Sequence, residues 1–299
     1  MGRFVLVADL GGTKIAAARV ESTGRITHRA FVRTPPEGGM AVVEAVTDLF
    51  HRLPAKDASA LSIDVPGLAY PGGVVWAPNI PGWEQMPLAK ILHRRFHLPV
   101  LVESDRNAFV TGEAWQGCAK GCLDVVSITI GTGIGAGIIS GGRLLRGSNE
   151  LAGCLGWMAV RDRFLPFYKT AGCLEAHVAG PGIARAAQRV FHRDMDAREV
   201  VNLARKGDLR AKEVLAQAGC YLGLALANLV DILNPQIIVI SGGVAAAGQL
   251  LLAPAQETMR RWAQPLAVRQ VRITRSHLGG RAGLLGAAKL CFARFHGPR

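Results

Sequence analysis

The sequence lacks an apolar run that is long and continuous enough to cross a membrane. Its longest apolar stretch, residues 221–240, is interrupted by polar residues and by Pro235, whereas a membrane-spanning helix needs about 20 consecutive apolar residues. The first apolar run, Phe4–Ala8, is too short for the core of a signal peptide. We therefore expect a cytoplasmic protein without a membrane partner.

Cysteine is also scarce. The chain has six cysteines in 299 residues, and no two of them are spaced as CxxC. This pattern excludes a small disulfide-stabilised scaffold and gives no zinc-binding motif. The composition, 49% hydrophobic and 19% charged, is that of an ordinary globular protein rather than a disordered one.

Acidic residues are outnumbered, since 22 Asp and Glu stand against 35 Lys and Arg, for a net charge of +13. The basic residues are scattered, and neither a basic block nor a zinc-finger or RNP motif occurs, so we expect no nucleic-acid partner. A positive field of this size favours an anionic small ligand such as a nucleotide. The alternative is a solvated basic surface without a specific partner.

Glycine, by contrast, is abundant, with 36 residues, and it marks a pattern that occurs twice. An apolar strand runs into a glycine-rich turn and then into a β-hairpin, first at Phe4–Ala8 and again at Val125–Ile130. Two such halves predict two related α/β domains. Glycine turns from both would line a cleft between them, the usual place for a ligand.

The first turn reads Asp9-Leu10-Gly11-Gly12-Thr13-Lys14. Its glycines allow backbone N–H groups to approach an anion, Thr13 adds a hydroxyl and Lys14 adds a positive charge. Asp9 can hold Mg²⁺, directly or through water. The alternative is a hairpin turn that binds nothing.

The second turn, Gly131–Gly137, is not a Walker A loop because no Lys-Ser/Thr follows. It is not a dinucleotide-binding fingerprint either, because a strand follows where a helix would begin. A tight phosphate-binding hairpin and a glycine-rich hairpin with β-bulges both fit. A later strand, Ile237–Ile240, ends in Ser241-Gly242-Gly243, which suits a platform for a nucleotide base.

A third segment, Glu103-Ser104-Asp105-Arg106-Asn107, lies between a strand and a helix. Asp105 stands at the end of the strand, where catalytic residues of α/β proteins commonly lie. A carboxylate there can act as a general base for a hydroxyl. The alternative is a helix N-cap, which Asp and Ser both favour.

In this order and spacing, the segments resemble the group that includes sugar kinases, actin and Hsp70. They are most similar to the ROK family of bacterial sugar kinases and related repressors. The resemblance rests on Asp9–Lys14, Pro78-Asn79-Ile80 with Gly82-Trp83, Glu103–Asn107, Gly131–Gly137, Ala152-Gly153, Gly172-Cys173-Leu174-Glu175, Gly207-Asp208, and Asn234-Pro235 with Gly242-Gly243.

That resemblance implies an α/β chain with the two-domain actin-like ATPase or hexokinase (ribonuclease H-like) fold and a cleft between the domains. We expect a smaller N-terminal domain from residues 1–118 with 284–299, and a larger C-terminal domain from residues 119–283. The repressors of the family carry an added N-terminal helix-turn-helix region. Here the first strand begins at residue 4, which favours the kinase branch, and the resemblance itself implies a homodimer.

The resemblance also implies ATP-dependent phosphorylation of a hexose or hexose derivative, usually on the 6-OH, with Asp105 as the general base. Asn79, Asp105 and Glu175 would bind sugar hydroxyls, and Asp9 would hold Mg²⁺ through water. The residues expected at ATP are Asp9, Gly11, Gly12, Thr13, Lys14, Gly131, Thr132, Gly133, Gly242 and Gly243.

Three positions depart from the family pattern at the sugar. Where the family has Ala-Gly-Glu-x-Gly-His, this chain has Cys154 for the Glu and Trp157 for the His, and Ser104 replaces the usual Asn before Asp105. We assign all three to the sugar site. Losing buried hydrogen-bond partners costs on the order of 1–3 kcal/mol each, so we expect an altered acceptor such as a substituted hexose, with Glu150 compensating for the lost Glu.

The zinc-binding segment of the family is also changed, because only Cys173 remains of one His and three Cys. One thiolate cannot make a tetrahedral Zn²⁺ site, so we predict no structural zinc. An aromatic cluster of Trp157, Phe164, Phe167 and Tyr168 is expected in its place. Two other functions stay open: a catalytically silent sugar-binding or regulatory protein of this family, and a sugar kinase that uses polyphosphate.

Overall fold

The computed structural model describes residues 3–297, which form two compact units. The first unit comprises the chain up to Gly121, the short segment Arg146–Leu151 and the chain from His277 onward. The second comprises Cys122–Leu145 and Ala152–Ser276. From the sequence we expected the domain boundaries at residues 118/119 and 283/284. Nothing in the sequence indicated that Arg146–Leu151 belongs to the first unit. The predicted ranges stay a prediction.

Twelve strands occur in the described residues. They are β1 (Phe4–Leu10), β2 (Lys14–Glu21), β3 (Ile26–Arg33), β4 (Leu61–Val65), β5 (Leu68–Tyr70), β6 (Val74–Trp76), β7 (Val100–Ser104), β8 (Val125–Ile130), β9 (Ile134–Ser140), β10 (Arg143–Leu144), β11 (Ile237–Ser241) and β12 (Arg272–Arg275).

Eleven α-helices occur in the same part of the chain. They are α1 (Gly39–His51), α2 (Leu88–Phe96), α3 (Asp105–Gln116), α4 (Tyr168–Ala171), α5 (Glu175–Val178), α6 (Gly180–Phe191), α7 (Ala197–Arg205), α8 (Leu209–Leu233), α9 (Gln249–Trp262), α10 (Pro265–Gln270) and α11 (Arg281–His296). Short 3₁₀ turns cover Leu155–Trp157 and Val244–Ala247.

Both units contain the same five-stranded sheet. The strand order is β3-β2-β1-β4-β7 in the first unit and β10-β9-β8-β11-β12 in the second. In each sheet the first three strands in sequence form an antiparallel meander. The fourth strand pairs in parallel with the meander's first strand, and the fifth pairs in parallel with the fourth. The repeated pattern of strand, glycine turn and hairpin is therefore a repeated fold.

Helices cover both faces of the sheet in the first unit. Side chains alternate along each strand, so every strand contributes residues to both cores. On β1, Leu6, Ala8 and Leu10 belong to the core built with α1 and α2, whereas Val5 and Val7 pack against α11. Asp9 continues the second set, so the alternation places it on the α11 face. This position matters for the site described below.

The longest helix, α8, is capped at both ends. The side chain of Asp208 accepts the N–H of Ala211, and Asn234 ends the helix in the left-handed conformation. Among residues 3–297, α8 is the one helix with the length and hydropathy of a membrane span, but 56% of its most apolar window is buried in the protein. It is packed as a core helix against α9, at Gly219 and Gly223.

The alanine-rich stretch 174–190 has the composition of one helix but contains two. Helix α5 ends at Val178, and α6 begins at Gly180. Ala179 between them is extended, with φ −69° and ψ 163°. Pro181 stands in the first turn of α6, and a proline is tolerated there but not inside a helix.

Candidate active site

Four carboxyl groups of the first unit lie where three parallel strands end. Asp9 of β1, Asp64 of β4 and Glu103 of β7 are direct neighbours across the sheet. Asp105 follows β7 at once as the first residue of α3. Because ligands of α/β proteins bind at the carboxyl ends of parallel strands, this edge is the candidate reaction centre of the first unit.

Asp105 has the properties of a general base. The N–H of Arg106 donates to its Oδ1 at 2.7 Å. Burial raises the pKa of Asp105 to about 6; the Arg106 guanidinium opposes this rise and the Asp9 carboxylate adds to it. A carboxyl that titrates near neutrality suits proton transfer from a hydroxyl.

The capping alternative fits this segment less well. Ser104 occupies the N-cap position of α3, but its side chain makes no capping hydrogen bond. Its hydroxyl instead accepts the Nε–H of Arg106 at 3.2 Å. Ser104 is 2% exposed, so it lies packed behind Asp105 rather than on the surface of the helix end.

Glu103 is fully occupied by partners. Arg146 binds it with both guanidinium nitrogens, at 2.6 Å to Oε2 and 3.0 Å to Oε1. The N–H of Ser104 and the side-chain amide of Asn107 also donate to Oε1, each at 2.9 Å. This ion pair between the buried Glu103 and the partly exposed Arg146 attaches the segment Arg146–Leu151 to the rest of the first unit.

Glu150 is held in the same network. Its Oε2 accepts from Arg146 at 3.0 Å, and its backbone carbonyl accepts from Arg106 at 3.3 Å. Its backbone is in the left-handed region, with φ 59°, which is uncommon for a residue other than glycine. A compensating role for Glu150 at a sugar stays a prediction, and its carboxylate already has a cationic partner.

Asp64 was not singled out by the sequence, although the signal was present as a charged residue inside an apolar strand. It is 0% exposed, and neither of its carboxyl oxygens has a hydrogen-bond partner. The Asp9 carboxyl lies beside it, and two carboxyl groups can share a hydrogen bond only where one of them holds a proton. Burial, and then the charge of Asp9, raise the pKa of Asp64 well above its ordinary value.

The magnesium ion that the family resemblance implies fits this corner of the site. Mg²⁺ in phosphoryl-transfer sites is usually bound by one or two carboxylates together with the substrate phosphates. Asp9 is partly exposed, and burial raises its pKa while the charge of Lys14 lowers it. The buried oxygens of Asp64, which have no partner, lie beside it.

The loop Gly11–Lys14 is a tight connection between β1 and β2. The N–H of Gly11 donates to the Lys14 carbonyl at 2.9 Å, and the Thr34 hydroxyl donates to the Gly11 carbonyl at 2.7 Å. Gly12 and Thr13 are exposed, and a Cβ on Gly12 would meet no atom within 4 Å. The loop has space for an anion, but both interpretations of it stay open.

Asn79 lies in an exposed turn whose neighbours anchor it. Ile80 and Trp83 are buried in the core, and the Trp83 indole N–H donates to the Gly39 carbonyl at 3.0 Å. Two backbone hydrogen bonds hold this turn, from the N–H of Ile80 to the Ala77 carbonyl and from the N–H of Trp83 to the Ile80 carbonyl. The turn therefore presents the Asn79 side chain to solvent from a fixed base.

In the second unit, two glycine turns follow neighbouring parallel strands. Thr129 of β8 pairs with Ser241 of β11, and their hydroxyl oxygens are 2.9 Å apart. Gly242 has φ 92°, and a Cβ there would stand 2.3 Å from the Ile130 carbonyl oxygen. Only glycine fits at this position, so the two turns are held against each other.

These turns line a cavity of about 710 Å³, a volume typical of a small-ligand site. The predicted nucleotide-binding residues Gly131, Thr132 and Gly243 are on its wall. The described lining does not include Gly133 or Gly242. Four polar residues of the wall belong to α7 or to its N-cap: Asp196, Arg198, Asn202 and Arg205. They are part of no motif that could be recognised in the sequence.

Glu175, predicted to bind sugar, is placed beside the glycine loop. Its Oε2 accepts the N–H of Ile134 at 2.7 Å. A Cβ on Gly133 would stand 2.8 Å from the same oxygen, and one on Gly156 would stand 2.9 Å from it. The glycines thus make room for the carboxylate, and burial raises the pKa of Glu175.

Two of the three replaced family positions, Cys154 and Trp157, differ in their exposure to solvent. Cys154 is partly buried at the start of the 3₁₀ turn, and Trp157 at its end is 58% exposed. Phe164, Phe167 and Tyr168 do form an aromatic group, with ring centroids 5.9 and 4.6 Å from Tyr168. Within residues 3–297, Trp157 makes no ring contact with them.

The region where the family binds zinc does not suit a metal here. Tyr168 and His177 share a hydrogen bond of 2.6 Å, and His177 stacks on Tyr221 at 4.3 Å. Burial and nearby arginines lower the pKa of His177 to about 4. Over the described part of the chain, no three His, Cys, Asp or Glu side chains converge to hold a metal. The absence of zinc stays a prediction.

Known proteins are similar to this chain over nearly its whole length. The sequence matches the ROK family over residues 5–294. A glucokinase of Halalkalibacterium halodurans is 32% identical, over 96% of this chain and 94% of that protein. The ROK hexokinase structure of Thermus thermophilus is 36% identical, with a TM-score of 0.81 over 95% of this chain and 96% of that one.

A second solved structure, the ROK family glucokinase of Streptomyces griseus in complex with glucose and AMPPNP, is 32% identical with a TM-score of 0.81. The alignment covers 96% of this chain and 98% of that one. These matches confirm the two-domain actin-like ATPase fold that the sequence predicted. The chain belongs to the ROK family.

Proposed function

We propose that this protein is an ATP-dependent sugar kinase that phosphorylates a hydroxyl of a hexose or hexose derivative, with Asp105 as the general base. The observation that carries the proposal is Asp105 itself, a carboxyl with a pKa of about 6 at the end of β7. The glucokinase of Streptomyces griseus, similar over nearly the whole chain, was solved with glucose and a nucleotide analogue. That similarity supports both substrate classes.

Proton transfer would use Oδ2 of Asp105, because Oδ1 already accepts the N–H of Arg106. As the sugar oxygen forms its bond to the γ-phosphorus, its proton passes to Asp105, the bond from the γ-phosphorus to the bridging oxygen breaks, and ADP leaves. Phosphoryl transfer needs mainly positioning and charge stabilisation. The geometry at α3 supplies the positioning of the base.

The nucleotide is assigned to the cavity of the second unit, with its phosphates at Gly131, Thr132 and Gly133 and its adenosine near Gly242 and Gly243. Backbone N–H groups in glycine turns are suited to binding phosphate. Arg198 and Arg205 give this cavity a positive wall. The Gly11–Lys14 loop of the first unit is the second candidate phosphate contact.

Magnesium would be held by Asp9, through water, and would supply neutralisation of phosphate charge when bound. Asn79, Ser104, Cys154, Trp157 and Glu175 are assigned to the sugar. Because Ser104 and Cys154 replace the polar residues of the family, a substituted hexose is the preferred acceptor. Cytoplasmic location and a homodimer remain predictions.

The test is ADP release from Mg-ATP against a panel of hexoses, amino sugars and glycosidic or anhydro sugars. We expect one sugar class to stimulate turnover and Asp105→Asn to lower kcat by about 10²–10⁴-fold. Asp162→Asn is the matched control, since Asp162 also accepts the N–H of the following arginine at 2.7 Å but is exposed. Nucleotide binding without turnover on any sugar would instead favour the silent sugar-binding function.

A further inference from the structure

We infer that Asp64 is the second carboxylate of the divalent-cation site and binds the ion together with Asp9. The inference rests on the proposed function for the identity of the ion as the one that accompanies ATP. It adds a ligand that lies on a different strand from the predicted metal residue. Three observations on Asp64 support it: the strand register with Asp9, the burial of the side chain, and the lack of a hydrogen-bond partner.

The strand register brings the two carboxyls together. Asp9 and Asp64 are paired residues of the neighbouring parallel strands β1 and β4. Side chains of paired residues project from the same face of a sheet, and neighbouring strands are about 4.8 Å apart. Both carboxyls therefore leave the sheet side by side, on the face covered by α11.

Gly283 of α11 marks the point towards which they converge. A Cβ at that position would stand 3.0 Å from Oδ2 of Asp9 and 3.1 Å from Oδ2 of Asp64. Any larger residue there would press on both oxygens. The one position of α11 that faces the pair thus carries no side chain, and the two Oδ2 atoms share one small region.

Asp64 differs from the other carboxyls of the row because it has no partner. Glu103 is neutralised by Arg146, and Asp105 accepts the N–H of Arg106. Both oxygens of Asp64 are buried without a hydrogen bond. A buried carboxylate needs a cation or a set of donors, and its neighbour Asp9 is itself a carboxyl that offers no donor when it is ionised.

A divalent cation satisfies both groups at once. Mg²⁺ and Mn²⁺ take oxygen ligands, and in kinase sites they retain several waters and bind one or two carboxylates. Asp9 is partly exposed, so an ion can reach the pair from solvent, whereas Asp64 is fully buried.

Mn²⁺ is the probe, and its binding to the nucleotide-free protein is measured by the electron paramagnetic resonance signal of free Mn²⁺. We expect one Mn²⁺ per chain. Asp64→Asn and Asp9→Asn should each weaken binding by at least about tenfold, the loss that removing even an outer-shell partner causes. Ser62→Ala is the control, because Ser62 is on the same strand, equally buried and without a partner, and it should leave the affinity unchanged.

Two results would overturn the inference. One is an Asp64→Asn protein that binds Mn²⁺ as wild type does, which would make Asp64 a protonated core residue. The other is a wild-type protein that binds Mn²⁺ more weakly than about 1 mM, a result that does not depend on any variant folding. Thermal melts with and without Mn²⁺ should show stabilisation of wild type and Ser62→Ala but not of Asp64→Asn.

The proposed function fails separately. If no sugar stimulates ADP release while Mn²⁺ binding requires Asp64, the kinase proposal is wrong and the cation site stands. If a sugar is phosphorylated and Mn²⁺ binding ignores Asp64, the kinase proposal stands and this inference is wrong.

Discussion

A single residue, Asp105, is the proposed general base, and its burial also has a cost in stability. Its pKa is about 6 in the folded protein against 3.8 in the unfolded chain, because burial disfavours the charge. The folded state therefore loses stability as the pH rises from about 4 to beyond 6, where Asp105 ionises only at this cost. Catalytic groups held in such unfavourable states are common at active sites.

Asp105→Asn should therefore raise the melting temperature at pH 7.5 while it removes turnover. The amide keeps the shape of the side chain but carries no buried charge. Differential scanning calorimetry at pH 7.5 and pH 4 checks this, since the gain should be largest at pH 7.5 and vanish at pH 4. Equal melting temperatures of the two proteins at both pH values would show that Asp105 is not strained by burial.

Arg106 is the residue that holds the Asp105 pKa down. Its guanidinium opposes the effect of burial, and it is tied to Ser104 and to the Glu150 carbonyl. A base works in its ionised form, so kcat/KM should fall about tenfold per pH unit below pH 6. In Arg106→Ala this acid limb should move to higher pH, because a favourable charge is lost.

The pH dependence of kcat/KM between pH 5 and 9 checks that expectation. Arg106→Lys serves as the comparison, since it keeps the charge and loses the forked contacts with Ser104 and Glu150. If the acid limb of kcat/KM stays near pH 6 in Arg106→Lys and moves to higher pH in Arg106→Ala, the effect is due to the charge of Arg106. The same limb in all three proteins would mean that Arg106 does not act on Asp105.

At this scale the sequence predicted some residues well and missed others. Asp105, Gly131 and Gly243 were recognised because each follows an apolar strand in a polar or glycine-rich turn, and the structure places them at strand ends. Asp64 was missed because a single charged residue inside an apolar strand does not form a recognisable motif. Its meaning comes only from the register with Asp9, which sequence does not give. The roles of the site residues stay predictions.

Among the elements, α3 and α11 pack so closely that glycine is required between them. A Cβ on Gly286 of α11 would stand 1.7 Å from the Ala108 carbonyl oxygen, and one on Gly112 of α3 would stand 2.1 Å from that of Ala282. Because α3 begins with Asp105, this contact also fixes where the base lies. The fit of the two helices is thus part of the site.

Gly286→Ala should lower the free energy of unfolding by about 1–3 kcal/mol or more, since the helices must separate to admit a methyl group. It should lower kcat as well, because α3 would carry Asp105 with it. Gly280→Ala is the control: Gly280 precedes α11 with φ −64° and has open space around it. Denaturant unfolding and steady-state kinetics measure the two effects, and a fully active Gly286→Ala protein would contradict this coupling.

The elements themselves were largely predictable. The apolar runs and glycine turns gave β1 to β3 and β8 to β10 because these signals are local. Two features were not local. The break between α5 and α6 depends on the extended backbone at Ala179, and Arg146–Leu151 joins the first unit through an ion pair between Arg146 and Glu103, 43 positions apart.

For the whole molecule, the repeated strand pattern and the order of the motifs were enough to predict the fold and the family, and both are confirmed. Each half folds as a complete five-stranded sheet, so the pattern carries most of the information needed. The boundaries of the two units were harder to predict. The chain returns to the first unit at His277, and its composition does not change there.

The net charge of +13 is a property of the whole chain, and it makes the two substrates behave differently with salt. Mg-ATP is an anion, and the cavity proposed to bind it has Arg198 and Arg205 on its wall, together with Asp196. A neutral sugar feels no such field. Raising the salt from about 0.05 to 0.5 M shortens the Debye length to a few ångströms, and it should raise the KM for Mg-ATP several-fold.

The KM for the sugar, measured at saturating Mg-ATP in the same buffers, is the internal control and should stay within about twofold, since no net charge is involved. Substituting Arg198 by Gln should reduce the salt dependence for Mg-ATP because one charge of the cavity is removed. If salt raises both KM values equally, the effect is a general loss of structure. If it raises neither, the positive charge is a solvated surface without a part in binding the donor.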